Sequence, residues 1–286
     1  IKILDCTFNT KSSLKEKLNQ LASEAEIAVR EGCKHLILTD KNISEENVAA
    51  PIILAFGAIN SRLINLGIRG FVSINVSTGE ALDTHSFAVL LGVGATTINP
   101  YLVFDSIYQR YKKKLFEKFT YEECVQRYIR SVDNGLLKIM SKMGISVLSS
   151  YRGGCNFEAI GLSRAIVSEY FPGMISRISG IGIYGIETKL KKLHKKAFQR
   201  NVTILPIGGI YKYRKNGENH QYQGQLIHTL QHAVNINSYE AYKKYAESIY
   251  KLPRTNLRDL LDFKTTNKSI DINNVESVES LRKRFG

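Results

Sequence analysis

Nothing in this sequence is long and apolar enough to cross a membrane as a helix, so a membrane anchor of that kind is not expected. Ile1–Thr10 lacks a basic stretch followed by an apolar block, and so gives no sign of a secretory leader. No methionine opens the chain, which is therefore expected to be a piece of something longer. Cysteines are few. Cys6, Cys33, Cys124 and Cys155 lie far apart, with no pair at CxxC spacing, so neither a zinc ribbon nor a thioredoxin-type site is indicated. Scattered free thiols fit a reducing compartment, and each reads as a small core hydrophobe.

Acidic residues are also scarce, with 26 against 40 lysines and arginines, which leaves a net charge of +14. Such an excess invites a nucleic-acid reading. The distribution argues against it. Dense clusters occur only at Lys112-Lys113-Lys114 and Lys189–Lys196. In the second, Leu190, Leu193 and Ala197 alternate with lysines at helical spacing, so the charges line a solvated helix face. No nucleic-acid partner is expected. With 286 residues, 43% of them apolar, the chain can bury a large core, in one α/β domain or two smaller ones.

What is present is an alternation of helices and strands. Ser13-x-x-Glu16 reads as a capping box for a helix carrying Leu14, Leu18, Leu21, Ala25 and Ala28 on one face. His35–Thr39 is a compact apolar strand. Pro51 starts a helix, apolar nearly all round, that stops at Gly67. Strands are expected at Phe71–Ser77, Ala95–Ile98, Ile145–Leu148 and Val202–Ile207. Helices are expected at Thr84–Leu91, from Thr120 to about Met143, and at Tyr184–Arg200, Gln223–Val234, Ser238–Tyr250 and Asn256–Phe263. Asn216-Gly217, between Tyr211–Lys215 and Glu218–Tyr222, is a hairpin signal. The fold class is α/β: mostly parallel strands with crossover helices, as an open sheet or an irregular barrel, plus a small β-hairpin.

The most specific stretch is residues 140–162, where Ser-Lys-Met-Gly-Ile-Ser is followed by Ser-Tyr-Arg-Gly, Phe-Glu-Ala and Gly-Leu. Its polar loop reads as a functional rim after a strand. The block resembles the signature of the central domain of the glutamate synthase large subunit. Further matches keep their order along the chain: Ala50-Pro51-Ile52, Gly67-Ile68-Arg69, Gly79-Glu80, Asn99-Pro100-Tyr101, Ser176-Arg177-Ile178 and Leu230-Gln231-His232-Ala233. Val275–Phe285 resembles the junction leading into a flavin barrel.

The resemblance implies a parent that joins a glutamine amidotransferase domain, this α/β domain, an FMN barrel with an iron–sulfur cluster, and a β-helix. Ammonia released from glutamine would travel inside the protein and be used to make glutamate from 2-oxoglutarate. Electrons would come from a pyridine-nucleotide-linked subunit or from ferredoxin, in the cytoplasm or a plastid. On this reading residues 1–264 form the central domain, and 265–286 a linker and the start of the barrel domain. No catalytic, cofactor-binding or metal-binding residue is expected here, and the isolated piece is expected to be inactive. Ser141, Lys142, Ser146, Tyr151, Arg152 and Glu158 are the candidates for an ammonia-path or interdomain rim. The plain alternative is that Lys142 satisfies helix-end carbonyls and Arg152 pairs with Glu158. The chain departs from the family pattern at Asn60, Ser61, Leu82, Ser86 and Val93.

Weaker signals are set against this. Gly180-Ile-Gly182-Ile-Tyr-Gly185 matches a dinucleotide fingerprint, but Leu205-Pro206 stands where an acidic residue is wanted, so close backbone packing is the better account. His228 and His232 have ligand spacing without an evident third ligand. Tyr239, Tyr242, Tyr245 and Tyr250 share one helix and suit packing better than base stacking. A free-standing flavin- or phosphate-binding α/β enzyme is the competing reading.

Overall fold

The structure, a computed structural model, describes residues 1–199, 207–210, 212–264 and 268–285. The chain divides into two compact units, Ile1–Arg200 and Asn201–Gly286. The expected strand at Val202–Ile207 falls almost wholly outside the described residues.

The first unit opens with β1 (Lys2–Asp5), β2 (Thr7–Asn9) and α1 (Leu14–Arg30). It continues through β3 (His35–Thr39), β4 (Asn47–Ala49) and α2 (Ile52–Asn65). Next come β5 (Ser73–Ser77), α3 (Thr84–Gly92), β6 (Thr97–Asn99), α4 (Tyr101–Lys112) and α5 (Tyr121–Lys142). Three shorter or later helices complete it: α6 (Leu148–Tyr151), α7 (Arg164–Tyr170) and α8 (Ile183–Ala197).

Four strands form one parallel sheet in the order β1-β3-β5-β6. The order follows the chain without reversal, and the sheet stays open. The small antiparallel element is β2 with β4, paired Thr7 to Ala49 and Asn9 to Asn47. Strand alternation sends Leu4, Leu36, Leu38, Ile74 and Val76 to one face. There they share a core with Leu14, Leu18 and Leu21 of α1, Phe56 and Ile59 of α2, and Phe87 of α3. Each such side chain contributes about 1.5–3 kcal/mol on burial. The other face is partly open. Ile3, Ile37 and Asn75 lie in register across it, and Ile3 is 62% exposed.

Some local signals are overridden. Ser13 is the N-cap of α1, but its side chain makes no capping bond. Glu187 of α8 accepts the Leu14 N–H instead, at 2.9 Å. The Thr120 box does form, with Thr120 and Glu123 bonded reciprocally. Ile145–Leu148 is not a strand. Val147 and Leu148 are half exposed, and the segment tightens into the single turn α6, which buries Tyr151.

The second unit holds α9 (Gly224–Asn235), α10 (Tyr239–Tyr250) and α11 (Val278–Phe285), with α9 packed on α10. Asn216-Gly217 makes its turn, with Asn216 at φ +62° and Gly217 N–H bonded to Arg214 O, but no strand flanks it among the described residues. Asn256–Phe263 is not a full helix. Only a 3-10 turn forms at Leu257–Leu260, because Leu260, Leu261 and Phe263 find nothing to bury against.

Candidate functional site

The signature segment is mounted on the end of α5. Gly144, at φ +71°, stops that helix, and Ile145 N–H reaches back to Met140 O. Tyr151 is fully buried beneath α3, where its hydroxyl donates to Ala88 O at 3.1 Å. Its ring meets Phe157 edge-on, with centroids 6.2 Å apart. Two backbone bonds hold the following loop to the end of α3: Gly153 N–H to Leu91 O and Cys155 N–H to Gly92 O, both 3.2 Å.

Beside this loop lies a cavity of about 360 Å³, lined among others by Asn60, Arg69, Gly94, Arg152 and Cys155. Arg69 is fixed in its wall. It donates to Asn60 Oδ1 and Val72 O at 2.7 Å, and to Gly94 O at 3.1 Å. Desolvation lowers its pKa, and the neighbouring Arg152 charge lowers it further. Burial pushes the half-buried Cys155 thiol upward. Cys155 also takes φ +48°, an uncommon conformation for a residue with a side chain.

A second polar cluster sits at the carboxyl edge of the sheet, where α/β proteins usually place their chemistry. Asp40, 1% exposed, follows β3. It accepts from Thr78 Oγ1 at 2.5 Å, Gly79 N–H at 3.1 Å and Tyr101 Oη at 2.8 Å. These bonds tie the ends of three strands together. Glu80 accepts from Ile52 N–H at 3.0 Å, at the start of α2. Much of that residue reaches solvent, but its carboxyl is packed inward. Desolvation, with a smaller push from Asp40, raises it to about 7.

The rim candidates separate. Ser141, Lys142 and Ser146 are exposed around the α5 terminus, and the Lys142 side chain makes no hydrogen bond or ion pair among the described residues. Tyr151 is a core residue. Arg152 reaches the cavity. Glu158 is exposed and pairs with Arg177 at 2.9 Å, which corrects the expected pair with Arg152. Arg69 and Asp40 were not singled out as sites. For Arg69 the signal was its place in the Gly67-Ile68-Arg69 match.

Other motifs find plain roles. A Cβ on Gly180 would sit 2.2 Å from Gly161 O, so this glycine serves close backbone approach. No strand precedes it among the described residues; isolated bridges join Glu158 to Ile175 and Leu162 to Ile181. His228 and His232 are exposed on α9, and no group of three or more His, Cys, Asp or Glu converges among the described residues. On α10, Tyr239 stacks on Tyr242 at 6.1 Å and both are exposed, so they form a surface ladder and not core.

Comparison with known proteins decides the family. The family model for the glutamate synthase central domain matches residues 1–163. The chain belongs to that family. It is 50% identical over 285 residues to the glutamate synthase (NADPH) large chain of Azospirillum brasilense, covering 99% of this chain and 19% of that one. The corresponding Bacillus subtilis protein is 39% identical, with 99% and 18% covered. The ferredoxin-dependent glutamate synthase of Pyropia yezoensis is 36% identical, with 96% and 18% covered. The chain thus spans about a fifth of the length of these relatives. Four of the five positions expected to depart from the family pattern make contacts in the fold. Ser61 donates to Tyr170 O, Asn60 holds Arg69, Ser86 bonds the Asp83 cap and Val93 is core, while Leu82 is exposed. Among the described residues no helix is long and apolar enough to cross a membrane.

Proposed function

We propose that this chain is the central, non-catalytic module of a glutamate synthase, set between its amidotransferase and FMN-barrel domains. Residues 1–264 would be that module and 265–286 the passage into the barrel. The parent would make glutamate from glutamine and 2-oxoglutarate. Its electrons would come from an NADPH-linked subunit or from ferredoxin, in a cytoplasmic or plastid setting.

One observation carries the reading. A parallel sheet is normally covered on both faces, yet here one face is partly open, with Ile3 exposed at its edge. The signature segment likewise presents Met143, Val147 and Leu148 to solvent. Apolar surface of this kind suits contact with neighbouring domains. The family match and the relatives favour this reading over a free-standing flavin- or phosphate-binding enzyme.

The donor set does not fit an iron–sulfur cluster. Cys6 and Cys124 are buried, Cys33 and Cys155 half-buried, and the four lie in separate elements. The glycine-rich start of α8 follows no strand among the described residues, and Gly180 packs on Gly161 O, so it does not form the phosphate turn of a nucleotide- or flavin-binding fold. FMN and the cluster are therefore assigned to other domains of the parent.

The module's work would be to hold two active sites apart and to help wall the route between them. Ammonia must be kept from bulk water, because a protonated ammonium is no longer a nucleophile. The rim around Ser141, Lys142 and Ser146, at the end of α5, would seal that boundary. The test is made in the full-length synthase with Lys142→Ala and Val147→Asp. The expected result is more glutamine hydrolysed per glutamate formed. Unchanged coupling in both variants would remove this rim from the route.

A further inference from the structure

Two guanidinium groups share one cavity, and no acidic residue lines it among the described residues. Arg69 is half-buried there, and neither it nor Arg152 has a carboxylate partner among the described residues. A desolvated cation normally has a counter-charge, because leaving it unpaired is costly. Arg69 is held by neutral acceptors only: Asn60 Oδ1, Val72 O and Gly94 O. A guanidinium carries five N–H groups, so two remain. The Arg152 side chain makes no hydrogen bond among the described residues and stands over the same space.

We propose that this cavity binds a carboxylate, gripped between Arg69 and Arg152. Two unspent N–H groups on one guanidinium match the two oxygens of one carboxylate, and such charge-assisted bonds are the strong ones. A phosphate pairs with guanidinium groups too, but its further oxygens would want free backbone amides. Here the Gly94, Gly153 and Cys155 N–H groups are already bonded, to Leu91 O, Leu91 O and Gly92 O. At about 360 Å³ the space accepts a small dicarboxylate, or an Asp or Glu side chain from an adjoining segment of polypeptide. The site takes Arg152 from the rim candidates but none of Ser141, Lys142 or Ser146, the residues proposed to seal the ammonia route.

Cys155 lines the same cavity and reports on it. The test follows alkylation of Cys155 by N-ethylmaleimide in the full-length protein, read on its own peptide by mass spectrometry. Glutarate is the probe, with sodium chloride at equal ionic strength as control. If the carboxylate comes from solution, glutarate slows labelling in a saturable way. The concentration for half-protection then rises about tenfold in Arg152→Gln, the loss of one charge-assisted bond. If an acidic side chain already fills the site, glutarate changes nothing, and Arg152→Gln speeds labelling several-fold without any additive. Arg152 is the residue to change, because Arg69 also holds Asn60, Val72 and Gly94 in place. Two results overturn the proposal. One is labelling indifferent to both glutarate and Arg152→Gln. The other is protection by sodium chloride equal to that by glutarate.

Discussion

Gly57→Ala should destabilise the chain, although in an open helix the same change stabilises. Gly57 lies inside α2, where alanine is favoured over glycine by about 1 kcal/mol. The added Cβ, however, would stand 2.7 Å from Tyr170 O and 2.7 Å from Phe171 Cε1. The carbonyl is backbone and cannot swing aside. It also accepts from Ser61 Oγ at 3.0 Å, so it is held from both directions. To reach ordinary contact α7 must retreat from α2 by roughly half an ångström or more. Overpacking of this kind costs about 1–3 kcal/mol, and weakening the Ser61 bond adds about 1 kcal/mol. The cost exceeds the propensity gain, for a net loss of about 2 kcal/mol. Urea unfolding followed by far-ultraviolet circular dichroism measures it, and the midpoint should fall by about 0.5–1 M. Gly70→Ala is the control, since nothing lies within 4 Å of its added Cβ. A Gly57→Ala midpoint equal to or above wild type would refute the close approach of α7 to α2.

Capping of α1 gives a contrast: Ser13→Ala should leave stability within about 0.5 kcal/mol, while Glu187→Ala should cost about 1 kcal/mol, because Glu187 holds the Leu14 amide. The reverse order in a thermal melt would mean that the local box forms after all. Glu80 gives a pH dependence: its folded pKa of about 7 lies above the usual value of about 4.3, so its share of stability is present below pH ~4.3 and lost as pH rises through ~7. Wild type should therefore lose ground to Glu80→Gln across that window, and a gap that stays constant in urea midpoints from pH 4.5 to 7.5 would contradict the raised carboxyl.

Much of the first unit was legible because its signals are local. The alternation in Phe71–Ser77 becomes β5, and the apolar helix after Pro51 becomes the buried α2. The parallel α/β class followed from that rhythm. What failed depended on partners far along the chain. Glu187, lying 173 residues beyond Leu14, displaces the Ser13 box. Tyr151 needs Ala88 O, and that demand turns an apparent strand into α6. Glu158 finds Arg177 in the loop beyond α7 rather than its near neighbour. The cavity was hidden for the same reason. Arg69 and Arg152 are 83 positions apart in sequence, and neither carries a pattern that announces the other.

Among the described residues the strands of the sheet are laid down in chain order and do not double back. The sheet therefore lacks the cleft that forms between two outward-winding halves, the usual seat for a nucleotide. At its carboxyl edge the space is occupied by Asp40, fastened on three sides. An edge fastened in this way, with no cleft at its centre, is what the proposed role of holding two sites apart would ask of the sheet.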